Sequence, residues 1–77
     1  MDYTNYIVRD PKICGGTAVV KGTRIPIRTI LGSLAEGDRV EDILHSFPTL
    51  TEEAIWALIA FAADSAAEDI PAMVLAV

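Results

Sequence analysis

The residues that could carry out catalysis are few and far apart in the sequence. The single histidine, His45, has no cysteine or second histidine at metal-ligand spacing, so we interpret it as a helix-end side chain beside the negative end of the helix dipole. A nucleophilic pair of Cys14 with His45 stays open, but no third group that would orient it is indicated. Glu52 and Glu53 point to different faces of a helix and form no acid–base pair. We therefore expect no enzymatic activity, no metal and no cofactor.

The glycines near the start of the chain resemble a phosphate-binding loop in composition but not in order. Lys21 precedes Gly22 and Thr23, whereas that loop requires glycine, lysine and then serine or threonine. We interpret Gly15, Gly16 and Gly22 as turn residues at the ends of a β-ribbon.

Charge is divided unevenly along the 77 residues, whose net charge is −5. The first 39 positions hold six basic and four acidic side chains, a sum of +2, and the remainder holds seven acidic and no basic ones, a sum of −7. An anionic partner could meet only the first part, and a cationic partner only the second. The residues that could contact DNA are Arg9, Lys12, Lys21, Arg24 and Arg28. In the alternative interpretation, Arg24 pairs internally with Asp42 or Glu41, and the lysines are solvated.

The chain is small and apolar, with 52% hydrophobic residues and a mean hydropathy of +0.40. A single domain of this length buries roughly 60% of its unfolded surface, so we expect association, most simply as a homodimer. The longest apolar run, residues 54–63, is shorter than the roughly 20 residues of a membrane span. That short run argues against a membrane partner, and a lone cysteine, Cys14, which can form no internal disulfide, favours the cytoplasm.

Residues 1–77 are predicted to form a single, mainly α domain with a short ribbon before three helices. Segments 5–9 and 18–21 are rich in β-branched and aromatic residues and predict two antiparallel strands. The ribbon and its joint occupy 5–26, the helices occupy 27–66, and an apolar tail occupies 67–77.

Local signals predict where the first two helices begin and end. Pro26 suits the first turn of the first helix, and Gly37 suits the left-handed residue after its end. Asp38 and Glu41 have the spacing of a capping box for the second helix, which ends before Pro48. A tight turn at 47–50 then gives a helix-turn-helix-like arrangement.

The third helix is predicted to begin after Thr51 and to run to about Ala66. It is apolar almost all round over 54–63, which is typical of a helix buried on more than one side. The residues expected to face the first two helices are Ile55, Leu58, Ile59 and Ala62. The predicted oligomer interface is Trp56, Ile59, Ala60 and Ala63. In the tail, the predicted partner-binding residues are Ile70, Met73, Val74 and Leu75.

A longer pattern resembles a known family. The run Gly15-Gly16…Val19…Lys21-Gly22-Thr23-Arg24-Ile25, preceded by Asp10-Pro11 and followed by Phe47-Pro48 and Leu50-Thr51, is similar to the domain of unknown function 433. The resemblance covers roughly residues 5–64 and implies a homeodomain-like or winged-helix-like trihelical fold behind two short strands. It also implies an antitoxin role beside a PIN-like ribonuclease toxin.

The third helix departs from what a DNA-reading helix needs. It opens with Glu52 and Glu53 and carries no Lys or Arg, so phosphates would repel it. We expect a dimeric antitoxin-like regulator whose acidic part and tail contact a ribonuclease and whose basic ribbon region contacts DNA. The alternative is an oligomeric protein-interaction module without nucleic-acid binding.

Overall fold

The computed structural model describes residues 2–69, and the side chains as far as residue 66. Its strands are β1 (Ile7–Val8) and β2 (Val19–Val20), and its helices are α1 (Ile27–Ala35), α2 (Val40–Ser46) and α3 (Glu52–Asp69). Short 3-10 turns lie at Tyr3–Asn5 and Cys14–Gly16. The predicted class, mainly α with a short ribbon before three helices, is confirmed.

The ribbon is antiparallel, as predicted, but shorter than predicted. Ile7 lies opposite Val20, and Val8 lies opposite Val19. The predicted strand over 5–9 was too long because Tyr3–Asn5 form a 3-10 turn, which ends only one residue before β1. The predicted strand over 18–21 was also too long. The Val20 N–H there bonds to the Ile25 carbonyl at 3.0 Å, so the chain turns back immediately after β2.

Helix α1 begins and ends at the residues that the sequence singles out. Pro26 is its N-cap, one position before the predicted first turn, and the Ile27 N–H bonds to the Ala18 carbonyl at 3.0 Å, which joins the helix to the ribbon. Gly37 has φ +100°, as the left-handed prediction requires. With Asp38 it completes a Schellman motif, since their N–H groups bond to the carbonyls of Leu34 and Ser33.

The predicted capping box of α2 was wrong by one residue. The Asp38 N–H ends α1, so α2 starts later, and the Asp42 carboxylate accepts the Arg39 N–H at 2.9 Å. Glu41 instead contacts the Arg39 guanidinium at 3.4 Å, with both side chains exposed. The alternative, in which Arg24 pairs with an acid such as Asp42 or Glu41, is also wrong, because the ion pair over residues 2–66 is that of Arg39 with Glu41.

Helix α3 closes the core. The Thr51 hydroxyl accepts the Ala54 N–H at 3.1 Å, which confirms the predicted cap. The helix extends to Asp69, beyond the predicted end near Ala66. The side chains at the centre of the core are 0–2% exposed and come from all three helices: Ile30, Ile43, Ile55 and Leu58. Within residues 2–69, no helix combines the length and apolar character that a membrane crossing requires.

Candidate interaction surfaces

Two shallow surfaces of opposite charge carry the side chains that could bind a partner. The first, which we call the acidic face, lies between α2 and α3 and consists of Val40, Glu41, Leu44, Glu52 and Trp56. The second, which we call the basic cleft, lies where the ribbon, α1 and α3 meet and is lined by Arg9, Thr17, Ala18, Ile27, Arg28 and Phe61.

The acidic face is built around an exposed indole. Among the described residues, Trp56 is the one large hydrophobic side chain left exposed, at 49%. Its Nε1–H donates to Glu52 Oε1 at 3.3 Å, one helical turn earlier, which holds the ring beside a carboxylate. Val40 and Leu44 of α2 are half-buried and form an adjoining depression of about 260 Å³ with Glu41 and Glu52. The result is an apolar patch with an anionic rim.

The predicted oligomer residues occupy different environments on α3. Trp56 and Ala63 are exposed and Ala60 is half-buried, so these three retain surface that a second subunit could cover. Ile59 is half-buried and packs against the core, together with the neighbouring buried residue Leu58. The predicted inward side of α3 is confirmed for Ile55, Leu58 and Ile59, and the homodimer stays a prediction.

The basic cleft brings together two of the five predicted DNA-contacting residues. Arg9 follows β1 and Arg28 lies in the first turn of α1, and both line one cavity of about 290 Å³. Thr17 and Ala18 lead into β2, while Phe61 comes from α3. The cleft is therefore a recess lined by two arginines, a threonine and three apolar residues.

The other three predicted DNA-contacting residues do not line this cleft. Lys21 borders a separate depression of about 180 Å³ near the start of α3. Arg24 is exposed, and Lys12 is exposed beside Asp10, whose carboxylate accepts the Lys12 N–H at 2.9 Å. The sequence showed that this half of the molecule is basic, but it did not show which of the basic residues lie together.

Tyrosine contacts attach the N-terminal segment to α3, and sequence reasoning missed them. The Tyr3 hydroxyl donates to Asp64 at 2.9 Å, and the Tyr3 ring meets Phe61 edge to face, with centroids 5.5 Å apart. The pKa of Tyr6 is raised above its ordinary value of 10.0, mainly by a hydrogen bond to the Glu53 carboxylate and to a smaller degree by burial. The contact of Tyr3 with Phe61 therefore joins the N-terminal segment to a residue that lines the basic cleft.

Cys14 and His45 lie on different elements. The Cys14 Sγ contacts the Arg24 carbonyl at 3.5 Å within the ribbon region, whereas His45 is exposed near the end of α2. Cys14 has φ +50° and the next two residues, Gly15 and Gly16, have φ +65° and +87°, which confirms the turn interpretation of this segment.

The predicted partner-binding residues of the tail lie outside the described residues. They are Ile70, Met73, Val74 and Leu75.

The part of the chain that matches a protein family includes both surfaces. The family model described as "Protein of unknown function (DUF433)" matches residues 7–62, a range that includes Arg9, Trp56 and Phe61. The uncharacterized protein y4eO of Sinorhizobium fredii is 43% identical over 49 residues, which are 64% of this chain and 22% of that protein. The crystal structure of a DUF433 member protein from Anabaena variabilis matches with a TM-score of 0.72 and 31% identity. That match covers 79% of this chain and 60% of the crystallised one, so this chain is shorter than both relatives. Because the family model matches well over half of its residues, the chain belongs to the DUF433 family of proteins of unknown function.

Proposed function

We propose that this chain is the antitoxin-like, non-enzymatic member of a toxin–antitoxin pair and that it binds a PIN-like ribonuclease. The observation that carries this proposal is the half-exposed indole of Trp56, held by Glu52 beside the depression between α2 and α3. An exposed tryptophan next to an apolar recess is typical of a protein–protein hot spot.

The charge around Trp56 defines the partner's chemistry. Glu41, Glu52 and Glu53 are exposed, and no lysine or arginine occurs after Arg39. A ribonuclease must attract an RNA backbone, so the surface around its active site is basic. The acidic face complements such a surface and would compete with RNA for it. We propose that the tail beyond residue 69 extends this contact.

We further propose that the chain forms a homodimer along α3. Ala60 and Ala63 are small and retain exposed surface, which lets a second helix approach closely beside Ile59, while Trp56 is left to the ribonuclease. Because Ala63 is exposed, Ala63→Glu should leave the monomer folded and reduce the sedimentation mass from two chains to one. A mass of one chain for the unmodified protein at micromolar concentration would refute the dimer.

Two steps test the ribonuclease proposal: the neighbouring reading frame is examined for a nuclease, and that nuclease is then titrated with this protein. We expect that frame to encode a small nuclease with clustered aspartates, and we expect calorimetry to show binding that weakens with salt. Glu52→Lys should reduce the affinity and release the nuclease from inhibition. Glu36→Lys is the matched control, since Glu36 is an exposed acid at the end of α1, outside the acidic face. Equal affinities for the two variants, or a neighbouring frame without a nuclease, would refute the proposal.

DNA binding is a second candidate function, and the basic cleft favours it. A helix-turn-helix protein reads bases with the start of the second helix of the motif, which here is α3. That helix begins with Glu52 and Glu53, whose carboxylates would be repelled by phosphates. Contact with DNA would therefore use the ribbon side, where Arg9 and Arg28 converge. Fluorescence anisotropy against the upstream DNA at two salt concentrations tests this function. If the protein has no affinity for the DNA at low salt, or an affinity that does not depend on salt, the DNA-binding function is refuted. The alternative function, an oligomeric protein-interaction module without nucleic-acid binding, would then be favoured.

A further inference from the structure

We infer that the basic cleft is a binding site for the phosphate group of a nucleotide unit, held between Arg9 and Arg28. This inference rests on the DNA-binding part of the proposed function and deepens it, because it reduces a set of five basic residues to one site. It does not depend on the protein partner, since the acidic face lies between α2 and α3.

The backbone explains why two arginines 19 positions apart share one cavity. Arg9 directly follows β1, which pairs with β2. The residue before β2, Ala18, accepts the Ile27 N–H at 3.0 Å, so the first turn of α1 is attached beside the ribbon. Arg28 is the second residue of that turn and faces the same cleft as Arg9. The ribbon-to-helix connection therefore places both side chains.

Neither Arg9 nor Arg28 forms an ion pair with an acidic side chain in the part of the chain whose side chains are described. The side chains that line the cleft are two arginines, one threonine and three apolar residues. Over residues 2–66, the ion pair is that of Arg39 with Glu41, and it involves neither Arg9 nor Arg28. Two cations facing one recess repel each other, and an anion between them removes that repulsion. This local excess of positive charge occurs in a chain whose net charge is −5.

The remaining lining of the cleft favours a phosphate carried on a nucleotide. Arginine forks match the oxygens of a phosphate group and bind them in pairs. Thr17, which also lines the cleft, carries a hydroxyl that can donate, and the start of α1 adds the positive end of a helix dipole. Ile27 and Phe61 provide an apolar wall suited to a sugar or a base, which an inorganic ion would not use. The source is either a free nucleotide or the backbone of a nucleic-acid strand.

The test uses the full chain labelled with ¹⁵N and follows the Nε–Hε signals of its arginines by NMR. The probes are inorganic phosphate, deoxyadenosine monophosphate and a duplex from the DNA upstream of the gene. We expect the signals of Arg9 and Arg28 to shift and the signal of Arg24 to stay. Shifts with the mononucleotide identify a free nucleotide as the source, and shifts with the duplex alone identify a strand. Unmoved Arg9 and Arg28 signals with every probe would overturn the inference.

Variants separate a defined site from diffuse charge. Arg9→Gln and Arg28→Gln should each weaken binding of the responding probe about tenfold. With the duplex, each should also reduce the slope of log affinity against log salt by about 1. Arg24→Gln is the matched control, because it removes the same charge from an exposed residue outside the cleft. An equal loss for Arg24→Gln would mean that DNA binding holds and the cleft site fails. Ribonuclease binding through the acidic face should be unchanged in Arg9→Gln and Arg28→Gln.

Discussion

Replacing Trp56 by alanine should weaken binding of the proposed ribonuclease partner much more than replacing Ile55, a buried residue of the same helix, by valine. Trp56 is 49% exposed, and a tryptophan buries about 200 Å² when fully covered, so roughly 100 Å² is left for a partner to cover. At about 25 cal/mol per Å², covering that surface contributes about 2.5 kcal/mol, which corresponds to about a 60-fold change in affinity. The other half of the Trp56 surface is buried in the folded chain, so Trp56→Ala should also reduce the free energy of unfolding. That reduction is at most about 2.5 kcal/mol, because areas buried on folding are upper bounds.

The assay pairs calorimetry of partner binding with urea unfolding of each variant. Ile55→Val is the matched control, because Ile55 adjoins Trp56 in sequence but is 0% exposed. It should cost about 0.5–1.5 kcal/mol of folding free energy and leave the affinity unchanged. Trp56→Leu keeps part of the buried apolar surface and serves if Trp56→Ala fails to fold.

Two results would refute this reasoning about Trp56. One is an unchanged affinity for both Trp56→Ala and Trp56→Leu in folded samples, which would place the partner elsewhere on the molecule. The other is an equal affinity loss for Ile55→Val, which would mean that binding reports helix stability and not a contact of the exposed indole.

Three further perturbations test the local structure that positions the two surfaces. Thr51→Ala removes the acceptor of the Ala54 N–H and should cost about 1 kcal/mol, or about 4–8 °C in the thermal midpoint, read by circular dichroism; an unchanged midpoint would contradict the cap. Gly37→Ala should destabilise by about 1–2 kcal/mol although no atom lies within 4 Å of an added Cβ, because the cost is the φ of +100° alone; urea unfolding of Gly37→Asn, which tolerates this conformation better, is the comparison. The raised pKa of Tyr6 means that its protonated form stabilises the fold, fully below the unfolded pKa of 10.0, and that this stability is lost as pH rises through the higher folded pKa. Tyr6→Phe should therefore flatten the alkaline decline in the urea midpoint, and an identical decline in both proteins would exclude the contact of Tyr6 with Glu53.

Local signals in the sequence were sufficient to predict the order of elements and several of their ends. The Thr51 cap and the left-handed Gly37 were predicted correctly because each depends on backbone chemistry within a few residues. The α2 cap was misplaced for the same kind of reason. The spacing allows a capping box of Asp38 with Glu41 or one of Arg39 with Asp42. The Asp38 N–H is used by the Schellman motif at the end of α1, where it bonds to the Ser33 carbonyl, so the second box forms.

The sequence by itself determined which parts of the chain are acidic and basic, and that Ile55 and Leu58 of α3 face the core. Only the tertiary structure decided which of the charged side chains share a surface. Arg9 and Arg28 share a cleft because Ala18 bonds to Ile27, and Tyr3 reaches Asp64 across 61 positions. The physical reason is that charge and periodicity are local properties of a chain. Convergence of distant side chains follows from packing and backbone hydrogen bonds that form only when the whole domain folds.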